Sequence, residues 1–297
     1  MKQLIKIPHN ENRWMDELML DRPRVISSGQ LAHILKISTS PFPELCDVVE
    51  LRKTGWEKTI IMKSMYCLNT FRHELGLEPY NFGFNRFHVV KPKEYEKKVR
   101  QEEVEEGRCL HGRAYLQRRS DRVAFTLDAT HELAHMAAYN VLLIKVRGSE
   151  FFIRDRQNGF GIKHEKGQVG EGLNEAVTEI IAHIIRLRLV KLRGGLSPDA
   201  KTALTESWSY LPLIKVVNAI VDKISRNAND QRMVEESLFS DYFCGTKRFF
   251  TKLYKRLPGA AEILRQMGKT PADALKAAKK LKLKEIVPLL SDIVKNS

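Results

Sequence analysis

The chain is poor in the features that mark several protein classes. Its four cysteines, Cys46, Cys67, Cys109 and Cys244, lie far apart and form no CxxC pair. That spacing argues against a disulfide framework and against cysteine-ligated zinc, and it predicts reduced, mostly buried thiols. No apolar run reaches the roughly 20 residues that cross a bilayer, and MKQLIKIPHNENRWMDEL lacks the hydrophobic stretch of a signal peptide. A cytoplasmic protein without a membrane span is the expectation. Internal repeats and low-complexity tracts are also missing, which removes solenoids and disordered linkers from consideration. Acidic residues are the minority, 36 Asp and Glu against 50 Lys and Arg, for a formal charge of +14. Such an excess suits first a solubilising surface, and next a polyanionic neighbourhood such as nucleic acid or anionic lipid, or an acidic substrate.

What is present is a globular composition, with 43% apolar residues over 297 positions. That length supports one large domain or two modest ones. Residues 1–55, punctuated by Pro8, Pro23, Pro41 and Pro43, read as short helices and loops. From Trp56 the positions Ile60, Ile61, Met65, Leu68, Phe71 and Leu75 repeat at helical spacing, and Gly76 fits a stop. Residues 84–90 (FNRFHVV), RAYLQRR and RVAFTLD read as strands, and the charge-dense segment from Lys91 to Arg108 as an exposed connection or a short solvated helix. EFFIRD and GFGIKH, around Asn158-Gly159, predict a hairpin. From about Ser197 the pattern is helical, with Thr270, Pro271 and Asp273 forming a helix start. The organisation expected is an N-terminal segment 1–55, a core 56–195 and a helical subdomain 196–297, in an α+β fold with a small antiparallel sheet.

The segment that carries chemistry is His131-Glu132-Leu133-Ala134-His135, followed by the apolar run MAAYNVLLI, which reads as a continuing helix. Asp128 or Thr130 is expected to cap it. Residues four apart share a helix face, so two imidazoles at this spacing can grip one metal ion, leaving Glu132 beside it to take a proton from a metal-bound water. The glycine and third histidine of the extended metzincin pattern are replaced by Ala138 and Val141. A third ligand must come from elsewhere. Glu171-Gly172-Leu173-Asn174-Glu175-Ala176-Val177-Thr178-Glu179 opens a second apolar helix with Glu175 and Glu179 on one face. Carboxylates on an apolar stripe need a positive partner, and a zinc ion would serve.

HELAH followed by GLNEAVTE resembles the gluzincin metallopeptidases, whose thermolysin-like members carry HExxH and then an NExxx(D/E) helix. The resemblance covers about residues 113–190. It implies a Zn2+ cofactor held by His131, His135 and Glu175, with Glu132 as general base and proton shuttle, and Glu179 orienting His131. It also implies hydrolysis of a peptide or protein substrate whose backbone adds to an edge strand, for which residues 122–127 are the candidate. The residue that stabilises the oxyanion has no motif here, and Tyr210 and Tyr242 are the candidates. The interval from His135 to Glu175 is longer than in thermolysin, and the second acidic position is glutamate rather than aspartate.

Rival readings attach to several residues. His164, in a polar turn, competes with Glu175 as third ligand. His183 shares the stripe but lies about 12 Å along the helix axis from Glu175, too far for the same ion. The C-terminal DALKAAKKLKLKEIVPLLSDIV reads as one or two amphipathic helices with a solvated lysine face over a leucine stripe. The alternative function is a basic nucleic-acid- or polyanion-binding protein with a structural or incidental zinc site.

Overall fold

The computed structural model describes residues 3–6, 17–21, 25–39, 48–81, 83–99, 107–110, 112–147, 150–164, 167–192 and 197–296. Pro8, Pro23, Pro41, Pro43, Cys46 and residues 100–106 of the charged segment lie outside them. The chain forms two units, Met1–Ala137 with Val141–Arg154 and Ala182–Ser207, and Ala138–Asn140 with Asp155–Ile181 and Trp208–Ser297. Both sheets and helices are present, helices predominating, and among the described residues no helix is long and apolar enough to cross a membrane.

The first unit opens with β1 (Gln3–Lys6), β2 (Glu17–Leu20), α1 (Ser28–Thr39) and α2 (Gly55–Glu74). There follow β3 (Phe87–Val90), α3 (Pro92–Glu94), β4 (Gly107–Leu110), β5 (Arg113–Gln117), α4 (Arg122–Ala137) and β6 (Asn140–Arg147). β7 (Glu150–Asn158) and α5 (Glu171–Lys191) each run through both units, and α6 (Pro198–Glu206) completes the first. Residues 1–55 thus contribute two strands as well as a helix. β1 pairs antiparallel with β2, while β2 runs parallel to β6. In the second sheet, of order β3-β5-β4, β3 is parallel to β5 and β4 antiparallel. The expectation of a purely antiparallel sheet is therefore corrected: the strands are paired across long chain separations, which local turn signals do not register. Leu18, Leu20, Leu142 and Ile144 alternate inward and bury against Ile34 of α1.

α2 starts in a capping box, with Thr54 and Glu57 exchanging side-chain and backbone bonds, and the buried Glu57 carboxylate also accepts from Arg118. After α3 the chain continues as a single π turn, and its two largest apolar side chains, Tyr95 and Val99, are fully buried with Val90 and Tyr115. Those anchors explain why so charged a stretch holds an ordered turn.

The clearest correction concerns RVAFTLD, which is not a strand but the first two turns of α4. Its β-branched residues suggested extension, yet Phe125, Ala129, Leu133 and Met136 form one buried stripe at helical spacing. Thr126 and Thr130 spend their hydroxyls on the carbonyls of Arg122 and Thr126. Asp121, rather than Asp128 or Thr130, accepts the Val123 N–H at the helix start, and Asp128 pairs with Arg119 at 2.8 Å. Nor does the helix continue through NVLLI. It stops at Ala137, and Val141, Leu142, Leu143 and Ile144 form β6, all buried.

In the second unit β7 turns into β8 (Gly161–His164), and β9 (Gly167–Val169) pairs on its other side, both pairings antiparallel. Gly159 takes φ +53° at the hairpin tip, as the Asn-Gly signal requires. The helical end comprises α7 (Leu211–Ile224), α8 (Ala228–Cys244), α9 (Arg248–Arg256), α10 (Ala260–Arg265), α11 (Pro271–Lys280) and α12 (Val287–Asn296). Thr270 and Asp273 form the capping box of α11. The buried Asp241 of α8 accepts from the N–H groups of Arg248, Phe249 and Phe250, supplying the acceptors that the start of α9 needs.

Candidate metal centre

α4 brings His131 and His135 together one turn apart, both half-buried. Their Nε2 atoms lie 3.1 Å apart and their rings meet at 76° with centroids 4.8 Å apart. Two nitrogens bound tetrahedrally to one zinc at about 2.0–2.1 Å would be separated by roughly 3.3 Å. The pair is thus close to the spacing a shared ion demands. Stripe residues Ala129, Leu133 and Met136 hold the opposite face of the helix in the core, which fixes the direction of the histidine face.

Glu132 is 4% exposed. It faces Gly107, the first residue of β4, so closely that a Cβ there would sit 2.8 Å from both its Cγ and its Oε1. The bare glycine lets an edge strand lie against the carboxylate.

α5 carries Glu175, half-buried, and Glu179, 1% exposed. The Oε1 of Glu179 accepts from the Ser209 N–H at 3.3 Å. The start of α5 is held firmly. Gly172 N–H donates to the Met267 carbonyl, and Asn174 Oδ1 accepts from the Phe160 N–H at the hairpin tip. A ligand atom from each of His131, His135 and Glu175 lies within 4.8 Å of the other two, which makes the three candidate donors to one ion. Two imidazoles and one carboxylate suit a divalent transition metal.

Comparison with protein-family models, with curated proteins and with solved structures finds no match to this chain. Its chemistry must be read from its own residues.

The other candidates fall as follows. His164 lies on β8 with its backbone opposite Asp155 and Gly167, and its side chain is outside the described residues. His183 is buried farther along α5. Tyr242 is fully buried, with its hydroxyl 2.7 Å from the Thr178 hydroxyl and its ring edge-on to Phe160. It is a packing residue that fastens α8 to α5. Tyr210 is half-buried at the start of α7, in the left-handed region at φ 55°, directly after Ser209. Strain of that kind in a non-glycine residue is held in place by its surroundings.

Three site residues had no role in the sequence reading. Asn174 stood inside the quoted motif, but its bond to the hairpin needs the fold to be seen. Gly107 and Ser209 act through close approach and a backbone N–H, which leave no side-chain pattern to find. Among the described cysteines, Cys67 is buried and Cys109 and Cys244 are half-buried, all three as free thiols. Burial pushes the Cys67 thiol up to about 11.

Proposed function

We propose that this chain is a zinc-dependent peptide hydrolase with a gluzincin-like core, built on α4 and α5. The observation that carries the reading is the convergence of His131, His135 and Glu175, with the buried Glu132 carboxylate next to the first histidine on the same helix. The same donor set serves non-haem iron, so the donors alone do not choose the chemistry. Glu132 favours hydrolysis, because a carboxylate beside the ion can take the proton of an attacking water. A cytoplasmic setting goes with this reading, in keeping with the three free thiols.

His131, His135 and Glu175 would hold the ion, and Glu179 would steady the cluster from the next turn of α5. A zinc ion bound there supplies Lewis-acid polarisation of a carbonyl and a more acidic water. Glu132 then accepts the proton of the attacking water at its carboxylate and hands it to the departing amine. The segment 122–127, expected as the substrate-pairing strand, is helical and cannot take that role. β4 replaces it, being an edge strand whose first residue abuts Glu132. With the Tyr242 hydroxyl engaged by Thr178, Tyr210 is the tyrosine left for the oxyanion.

The test is hydrolysis of a mixed peptide library by zinc-replete protein, read by mass spectrometry. Cleavage should stop on chelation, return with zinc, and fall by at least about 100-fold in Glu132→Gln. A library left intact by metal-replete protein, or cleavage that Glu132→Gln leaves unchanged, would overturn the hydrolase reading.

A further inference from the structure

The cationic excess is unevenly spread. Residues 247–297 hold thirteen Lys and Arg against four Asp and Glu. Within them, Lys276, Lys279 and Lys280 project from α11, and Lys282 and Lys284 follow in the turn beyond it. All five are exposed, and none forms an ion pair among the described residues. The Lys223 ammonium adds to the same end of α11, where it donates to the carbonyls of Leu281 and Lys282. The nearest acids in sequence do little to offset this. Asp273 is spent on capping α11, and Glu285 is a single charge. Lysines packed this densely repel one another, an arrangement that a partner of opposite charge relieves.

We infer that α11 and the turn after it form a docking surface for the phosphate backbone of nucleic acid. The apolar residues of the segment decide against a lipid surface. Ala274, Ala277, Ala278, Leu281 and Leu283 are buried in the protein and Leu275 is half-buried, leaving no broad apolar face to insert. Leu289 on α12, 43% exposed, is too small an area to change that. Lysine also acts as a point charge without the planar fork of arginine, so the surface reads phosphates and not base edges. Binding should be insensitive to sequence and steeply sensitive to salt. It owes nothing to the metal centre.

The experiment is fluorescence anisotropy of the full chain with a labelled 20-base-pair duplex of arbitrary sequence, from 50 to 200 mM NaCl. If all five lysines meet phosphates, log K should fall against log salt with a slope near −4.5, about 500-fold over that range. Lys276→Gln, Lys279→Gln and Lys280→Gln together should reduce the slope by about 2.7. A control triple, Lys58→Gln, Lys93→Gln and Lys201→Gln, removes the same charge from exposed positions elsewhere and should leave the slope unchanged. Circular dichroism establishes that each variant is folded. The inference is overturned if the duplex does not bind at 50 mM NaCl. It is overturned as well if the control triple weakens binding as much as the α11 triple. Lysine-dependent binding to phosphatidylserine vesicles without binding to the duplex would give the surface to lipid instead. Loss of zinc or of hydrolysis leaves these outcomes untouched, so the two proposals fail separately.

Discussion

Replacing Gly107 by alanine tests the contact that aims Glu132. An added Cβ would lie 2.8 Å from Cγ and Oε1 of Glu132 and 3.1 Å from Cδ. Ordinary contact begins near 3.4 Å, so the carboxylate or the strand must yield by about 0.6 Å, and overpacking of this kind costs about 1–3 kcal/mol. The backbone of Gly107 is not in the left-handed region, so alanine itself is not strained there. Once the clash is gone, Gly→Ala should gain about 0.4–1 kcal/mol by restricting the unfolded chain. The expected signature is a change of sign. Gly107→Ala destabilises the native protein, but is neutral or stabilising when Glu132→Ala is already present. Urea titration of the four proteins, followed by circular dichroism, gives the cycle, and the coupling should exceed about 1 kcal/mol. Effects that simply add, within about 0.5 kcal/mol, would mean that β4 does not press on Glu132. The single variant should also keep its metal while hydrolysis falls, because misplacing a reacting group costs on the order of 100-fold per about 1 Å.

Further outcomes follow from the same structure. Tyr242→Phe removes the hydrogen bond to the buried Thr178 hydroxyl and should cost about 1 kcal/mol, seen as a lower melting temperature, with metal content unchanged. A thiol reagent at pH 8 should label Cys109 and Cys244 in the folded protein and reach Cys67 only on unfolding, as peptide mapping would show. Burial and a thiol pushed up to about 11 both protect Cys67. Glu74 is held below the usual carboxylate range by its hydrogen bond to Arg188. Its contribution is present above the unfolded value and is lost as pH falls through the lower folded one. Glu74→Gln should therefore flatten the acid side of the stability profile slightly, the pair being largely exposed.

Much of the fold was legible because helix ends carry chemistry in their side chains. Thr270 with Pro271 and Asp273 marked the start of α11, and Asn158-Gly159 marked a hairpin turn. What misled was the period. RVAFTLD has β-branched and aromatic residues in near alternation, and only the continuation to Ala129 and Leu133 shows that its buried residues repeat every four positions. NVLLI failed in the opposite direction, because a short apolar run fits a buried helix or a buried strand equally well until its partner is known. That partner, β2, lies more than a hundred residues earlier. At the site, His131 and His135 could be paired from their spacing, while Glu175 was proposed through the resemblance of its motif. The glycine that admits Glu132 and the Ser209 N–H that meets Glu179 belong to the backbone, where sequence patterns are silent.

The most direct test of the central claim is the zinc content of metal-replete protein after removal of excess ion, for wild type, Glu175→Ala, His164→Ala and Glu132→Gln in parallel. The account predicts about one zinc per chain in wild type, kept in His164→Ala and Glu132→Gln and lost in Glu175→Ala. Absence of zinc from wild type, or zinc that survives Glu175→Ala and disappears with His164→Ala, would contradict it.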